Sequence, residues 1–185
     1  MSDRVMVFID GANLYSCMRD HLGMTKNVKV DVFGAKLANG RELVRTYYYN
    51  SPSPPSVEQA GFQKFWSKLG WLDNVRPRLG RIIPKTIDVQ CPDCGKKFIH
   101  QTHIQKGVDT HIVVDVISLA QSDAYDTGII VSGDSDLAEA IDWVREHTRK
   151  RMENACIPCK SWSEQIRNAA DVKIQLTKEY LEDCM

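Results

Sequence analysis

Two short apolar runs, residues 5–9 (VMVFI) and 128–131 (GIIV), carry no polar alternation. A strand with one wet face alternates. An unbroken β-rich run suits a strand covered on both faces, as in a parallel sheet. Residues 43–49 (LVRTYYY) read as a second strand, closed by the Pro-rich stretch 51–55. A third strand is expected around residues 75–83 (VRPRLGRII), the fourth is 128–131, and a short fifth falls within 152–158. Apolar spacing and start signals predict helices over 14–22, 56–70, 108–121, 137–147 and 163–170, with Ser56 as an N-cap. Residues 172–176 suit either strand or helix. Strands alternating with helices predict an α/β fold: one Rossmann-like domain over residues 1–185, with a central, mostly parallel sheet and helices on both faces. A chain of 185 residues is long enough to bury a core of its own.

Each of the two apolar runs leads into carboxylates, Asp10 after the first and Asp134 and Asp136 after the second. In an open parallel sheet, ligands bind beyond the carboxyl ends of the strands. If the two strands are neighbours, these acids converge, and crowded anions resist ionising together unless a cation sits among them. Hard oxygen donors suit Mg²⁺ or Mn²⁺ better than zinc. Such a cluster can activate a water and stabilise charge on a phosphodiester. The plainer reading is that each Asp caps the helix that follows it.

Composition narrows the classes. Lys plus Arg and Asp plus Glu are both 24, so the formal net charge is zero. That excludes a globally basic nucleic-acid binder but leaves room for a basic patch beside an acidic pocket. No apolar run approaches the roughly 18 residues of a membrane span, and no secretory signal pattern opens the chain. A cytoplasmic protein with no membrane partner is the expectation.

Three segments carry a resemblance: VFIDGANLY at residues 7–15, KGVDTHIVVDVISLA at 106–120, and IIVSGDSDLAEAI at 129–141. Together, and in this order, they resemble the signature segments of NYN domains, relatives of the PIN-like nucleases, with the LabA-like branch most similar. The resemblance implies a PIN-like fold and a metal-dependent ribonuclease. It implies that Asp10, Asp109, Asp134 and Asp136 hold Mg²⁺ or Mn²⁺, that Asn13 is the polar partner beside Asp10, and that Ser132 is the small hydroxyl residue before the acidic pair. Asp115 lies six residues beyond Asp109, roughly 120° around a helix, and is not expected among the ligands.

Basic residues, together with Ser132 beside the acids, could hold the substrate. Lys106, next to Gly107 and Asp109, is the first choice, with Arg76 and Arg78 in a second group. Tyr47, Tyr48 and Tyr49 could offer a stacking face, although strand alternation sends at least one into the core. Two CxxC pairs, Cys91/Cys94 and Cys156/Cys159, have the spacing of zinc ligands. A small insert at about residues 86–105 is therefore expected to be a zinc knuckle. Its structural Zn²⁺ would be held by all four cysteines, with His100 or His103 as alternative ligands. Free thiols or a redox pair are the competing reading of the same spacing.

The function expected is phosphodiester hydrolysis of single-stranded RNA. The alternative is a catalytically inactive NYN module that binds RNA or protein in a regulatory role. A DxD phosphatase fits less well, because its nucleophilic acid follows the first strand, where this chain has DGAN. Assembly as a homodimer stays open.

Overall fold

The computed structural model describes residues 3–52 and 59–185. The expected N-cap Ser56 and most of the Pro-rich loop lie outside the described residues. Six strands form one parallel sheet: β1 (Arg4–Asp10), β2 (Glu42–Asn50), β3 (Val75–Leu79), β6 (Thr127–Val131), β7 (Arg151–Cys156) and β8 (Val172–Gln175). Their order is β3-β2-β1-β6-β7-β8, and every neighbouring pair is parallel. Two further strands, β4 (Arg81–Gln90) and β5 (Lys97–Lys106), make a separate antiparallel hairpin.

The central strands are covered on both sides, which explains their unbroken apolar runs. Val5, Val7 and Ile9 of β1 face one core, shared with α1 (Gly11–Leu22), α2 (Val30–Ala38) and α7 (Lys178–Glu182). Met6 and Phe8 face the other, shared with α4 (Val108–Gln121), α5 (Ala138–His147) and α6 (Glu164–Ala169). The remaining helix, α3 (Gln59–Leu69), follows β2 and packs Phe65 and Trp66 against the first core. Burying each such apolar side chain contributes about 1.5–3 kcal/mol before the entropy of ordering it.

The topology positions the site. From β1 the chain builds outward through β2 to β3. It then returns by the hairpin and α4 to β6, on the other side of β1, and builds outward again through β7 and β8. The order of strands therefore reverses between β1 and β6. A crevice opens at their carboxyl ends, where ligands bind in sheets of this kind.

Parts of the fold differ from the sequence expectation. The stretch read as one third strand breaks at Gly80: residues 75–79 join the parallel sheet and residues 81–90 leave it as half of the hairpin. The insert expected at about 86–105 is thus a longer two-stranded ribbon with a turn at its tip. Helix α2 was not anticipated, because the Val-rich segment at 28–32 alternates like a strand and Lys29 provides no side-chain cap. Its buried Val30, Phe33, Gly34, Leu37 and Ala38 do follow the helical period. The segment at 172–176, open between strand and helix, is a strand over Val172–Gln175, β8. Among the described residues, no helix is long and apolar enough to cross a membrane.

Candidate active site

Asp10 is the last residue of β1 and the N-cap of α1. One carboxylate oxygen, Oδ1, accepts the Asn13 backbone N–H at 3.1 Å, and Oδ2 accepts the Ser132 hydroxyl at 3.2 Å. The side chain is almost wholly buried, with 5% exposure for the residue. Burial pushes its pKa up to about 6; the Asn13 and Ser132 hydrogen bonds pull against this, and the neighbouring charges of Asp109 and Asp134 add to the rise. The capping reading holds for this residue, and it does not exhaust its surroundings. It caps α1, and it is also a buried acid without a cation among the groups that set its charge.

The turn after β6 is built around the same carboxylate. Ser132 donates to Asp10 and accepts the Asp134 N–H at 3.2 Å, so one hydroxyl couples the two acids. Asn13 Oδ1 accepts the Gly133 N–H at 3.0 Å, pinning α1 to the turn. Gly133 itself has no room for a side chain: a Cβ there would lie 2.5 Å from the Ser161 carbonyl oxygen. Asp134 then caps a 3₁₀ turn, Ser135–Leu137, accepting the Asp136 N–H at 3.0 Å. Asp109 enters from a third element, in the first turn of α4, after Gly107 at a φ of 88° turns the chain out of the hairpin. Burial raises its pKa as well, and the charges of Asp134 and Asp136 add to that.

Asp10, Asn13, Lys106, Asp109 and Asp134 line one cavity of about 330 Å³ at the carboxyl edge of β1 and β6. Asp136 is exposed beside it, and its charge is felt at Asp109. Among the described residues no three His, Cys, Asp or Glu side chains are drawn together tightly enough to clasp an ion. The acids ring a cavity and do not close a cage. A second cavity of about 470 Å³ adjoins it through Ala12, Ser16 and Gln105, and is walled by Tyr15, Tyr48, Phe62 and Phe65.

Several expected residues lie elsewhere. Ser132 is only 1% exposed, with its hydroxyl held between the Asp10 carboxylate and the Asp134 N–H. Arg78 is tied to Asp115 by two hydrogen bonds, one of them 2.9 Å from Nε, and that carboxylate also accepts the Tyr49 hydroxyl at 2.8 Å. Its charge is committed to a buried partner. Arg76 is exposed on the edge strand β3 and does not line the acidic cavity. All three tyrosines are buried, although Tyr48 reaches the wall of the second cavity. The expected zinc tetrad is split. Cys91 and Cys94 occupy the turn of the hairpin, where Gly95 N–H donates to the Cys91 carbonyl at 2.9 Å. Cys156 and Cys159 belong to a different neighbourhood, beside Cys17 of α1. His100 and His103 are exposed on β5. Among the described residues, no gathered metal group includes any of these.

Sequence reasoning missed Asn154. Wholly buried on β7, it donates to the Ile130 carbonyl at 3.1 Å and the Ser132 carbonyl at 2.9 Å, and it accepts the Trp162 indole N–H at 2.7 Å. It fixes the strand end that carries the acids. Its strand, RMENAC, also carries Arg151 and Glu153, so a polar residue there gives little signal in the sequence.

The NYN domain model matches residues 4–177. The chain belongs to the NYN domain family. No curated protein matches it in sequence. Among solved structures, this NYN domain is similar to a protein of unknown function from Vibrio parahaemolyticus. The identity is 18%, over 97% of this chain and 96% of that one, with a TM-score of 0.67, a likeness of fold alone. A chain from a structural study of Sir2 enzymes is matched over 100% of this chain and 91% of that one at 11% identity; its TM-score of 0.45 carries no argument.

Proposed function

We propose that this NYN domain is a Mg²⁺- or Mn²⁺-dependent ribonuclease that hydrolyses phosphodiester bonds of single-stranded RNA, in keeping with the PIN-like nuclease superfamily to which NYN domains belong. The observation that carries the proposal is the buried Asp10, which shares a crevice with Asp109 and Asp134 at the point where the strand order reverses. The donor set fits a hard cation, because every candidate ligand atom is a carboxylate oxygen. Carboxylates that repel one another stand apart, and a cation among them removes that repulsion. Asp10, Asp109 and Asp134 would hold the ion, with Asp136 at the rim. When bound, it would supply positive charge against a phosphate oxygen and acidify a water.

The chain's own residues have distinct tasks. Ser132 and Asn13 hold the acids and the 132–134 turn in position. Lys106, which lines the same cavity, offers a positive charge to a phosphate group. A second reading, a non-catalytic module that binds RNA or protein, is favoured by one observation: the acids are not drawn into a closed ligand set. The segments at residues 7–15, 106–120 and 129–141 support placing the chain in the LabA-like branch.

The test is cleavage of a panel of single-stranded RNA oligonucleotides by wild type and Asp134→Asn, with Mg²⁺ or Mn²⁺. The proposal expects cleavage by wild type, its loss in the variant, and an unchanged fold. Wild type that binds RNA but cuts none of the panel would favour the binding module. Undiminished cleavage by Asp134→Asn would place the active centre elsewhere.

A further inference from the structure

Behind Asn13 the fold gathers three thiols that the acidic cavity does not use. Cys17, one turn further along α1, has its Sγ 3.6 Å from Cys159 Sγ and 3.2 Å from Ser161 Oγ. Ser161 Oγ is also 2.9 Å from Cys159 Sγ. Cys156, at the end of β7, completes the group. The nearness of Cys156, with Ser161 and Cys159 adding to the effect, holds the Cys17 thiol below the usual thiol range. Cys17 is buried, whereas Cys159 is partly open to solvent. A small oxidant therefore meets Cys159 first, with a second sulfur already in contact behind it.

A disulfide needs its sulfurs about 2.05 Å apart. From 3.6 Å, the pair must close by ~1.5 Å, which a side-chain rotation and a small movement of residues 157–162 can supply. That movement would not be silent. The Cys17 thiol lies 3.9 Å from Asn13 Oδ1, the same atom that accepts the Gly133 N–H. The loop that carries Cys159 also presses the Ser161 carbonyl against Gly133. Both sides of the dithiol therefore lean on the turn that presents Asp134.

We propose that Cys17 and Cys159 form a peroxide-responsive dithiol, whose disulfide ties α1 to the loop after β7 directly behind the acidic cavity. The chemistry balances. Cys159 sulfur attacks hydrogen peroxide, the O–O bond breaks, and a sulfenic acid and one water result. Cys17 sulfur then attacks Cys159 sulfur, the S–S bond forms, the S–O bond breaks, and a second water leaves. In sum, two thiols and one peroxide become one disulfide and two waters. Its effect on the acids rests on the metal-dependent reading above, whereas the disulfide itself does not.

The experiment uses the full chain carrying Cys91→Ser and Cys94→Ser, so that the hairpin pair cannot contribute. The reduced protein is treated with equimolar hydrogen peroxide, digested and mapped by mass spectrometry. The expected result is a Cys17–Cys159 bridged peptide that dithiothreitol reverses. Cys17→Ser and Cys159→Ser should each abolish it, and Cys156→Ser should leave it in place. A bridge confined to Cys156 and Cys159, or oxidation of Cys159 to sulfinic acid without any bridge, would overturn the proposal. The second arm measures Mn²⁺ binding before and after oxidation, with an expected change of about 5-fold or more that is absent in Cys159→Ser. A bridge that forms with no change in Mn²⁺ affinity would overturn the coupling to the site. A reduced protein that binds no Mn²⁺ at all would count against the metal-dependent function and leave the dithiol standing.

Discussion

Two of the carboxylates that the fold buries, Asp115 and Asp10, are treated oppositely. Asp115, on α4, is given a guanidinium and a phenol: Arg78 holds both of its oxygens and Tyr49 donates to one of them. Asp10, on β1, is just as buried but receives only an amide N–H and a hydroxyl, and its charged neighbours are two more acids. A buried charge matched within the chain holds structure together. A buried charge left unmatched costs stability, and the chain keeps such a group where something from outside is to match it. The contrast separates an acid matched within the chain from one left unmatched more sharply than either residue's position in the sequence.

The largest effect should come from removing the internal match. Arg78→Ala leaves Asp115 buried without its cation and is expected to lower stability by about 2–4 kcal/mol, at the low end because the arginine is half exposed. Urea unfolding measures it. RNA cleavage by the fraction still folded should be unaffected, and a stable Arg78→Ala protein would break the contrast from its structural side.

Asp10→Asn should act in the opposite direction. With no cation present, removing this charge is expected to stabilise the protein at neutral pH by about 1–3 kcal/mol, while Mg²⁺- or Mn²⁺-dependent cleavage is lost. The pH dependence follows from the raised pKa. The folded state favours protonated Asp10, so its favourable contribution is full below about pH 4 and is lost as pH rises through about 6. The stability gap between variant and wild type should therefore be small in acid, open between those values, and level off above. Added Mn²⁺ should close it. A gap that shrinks as pH rises would contradict the environment assigned to Asp10.

The turn that carries the acids should also be sensitive from behind. Asn154→Ala leaves two carbonyls without their donor and the Trp162 indole without its acceptor, an expected loss of about 1–3 kcal/mol by thermal or urea unfolding. The smallest effect is at the surface. Lys106→Ala should leave stability unchanged, weaken RNA binding several-fold, and reduce the slope of log affinity against log salt by about one. An unchanged salt slope would remove Lys106 from the RNA path.

Much of this contrast was readable before any coordinates, and the physics explains which part. The two-sided burial of β1 and β6 writes itself as unbroken apolar runs, and the acids at their ends are local in sequence. Asp10, Asp109 and Asp134 could be named from strand ends and from the family's segments. What depends on long-range pairing could not. Arg78 looked like a free cation because its partner Asp115 stands on another element, 37 positions away in sequence. Cys17 looked solitary until the fold set it against Cys159, 142 positions away. The two CxxC pairs looked like one site because spacing alone says nothing about where each pair is carried. The hairpin escaped because Gly80 ends one strand and begins another without a polar break. Helix α2 escaped because valines alternate like a strand while also meeting the helical period.

The most direct measurement is a calorimetric titration of Mn²⁺ into the fully reduced protein, repeated with Asp10→Asn, Asp134→Asn and Arg78→Lys. One ion per chain should bind to wild type. The first two variants should each weaken binding by more than ~10-fold, about 1.4 kcal/mol, and the third should leave it unchanged. Binding that survives the loss of Asp10 and Asp134, or that is lost with Arg78, would contradict the assignment of the unmatched acids as the functional ones.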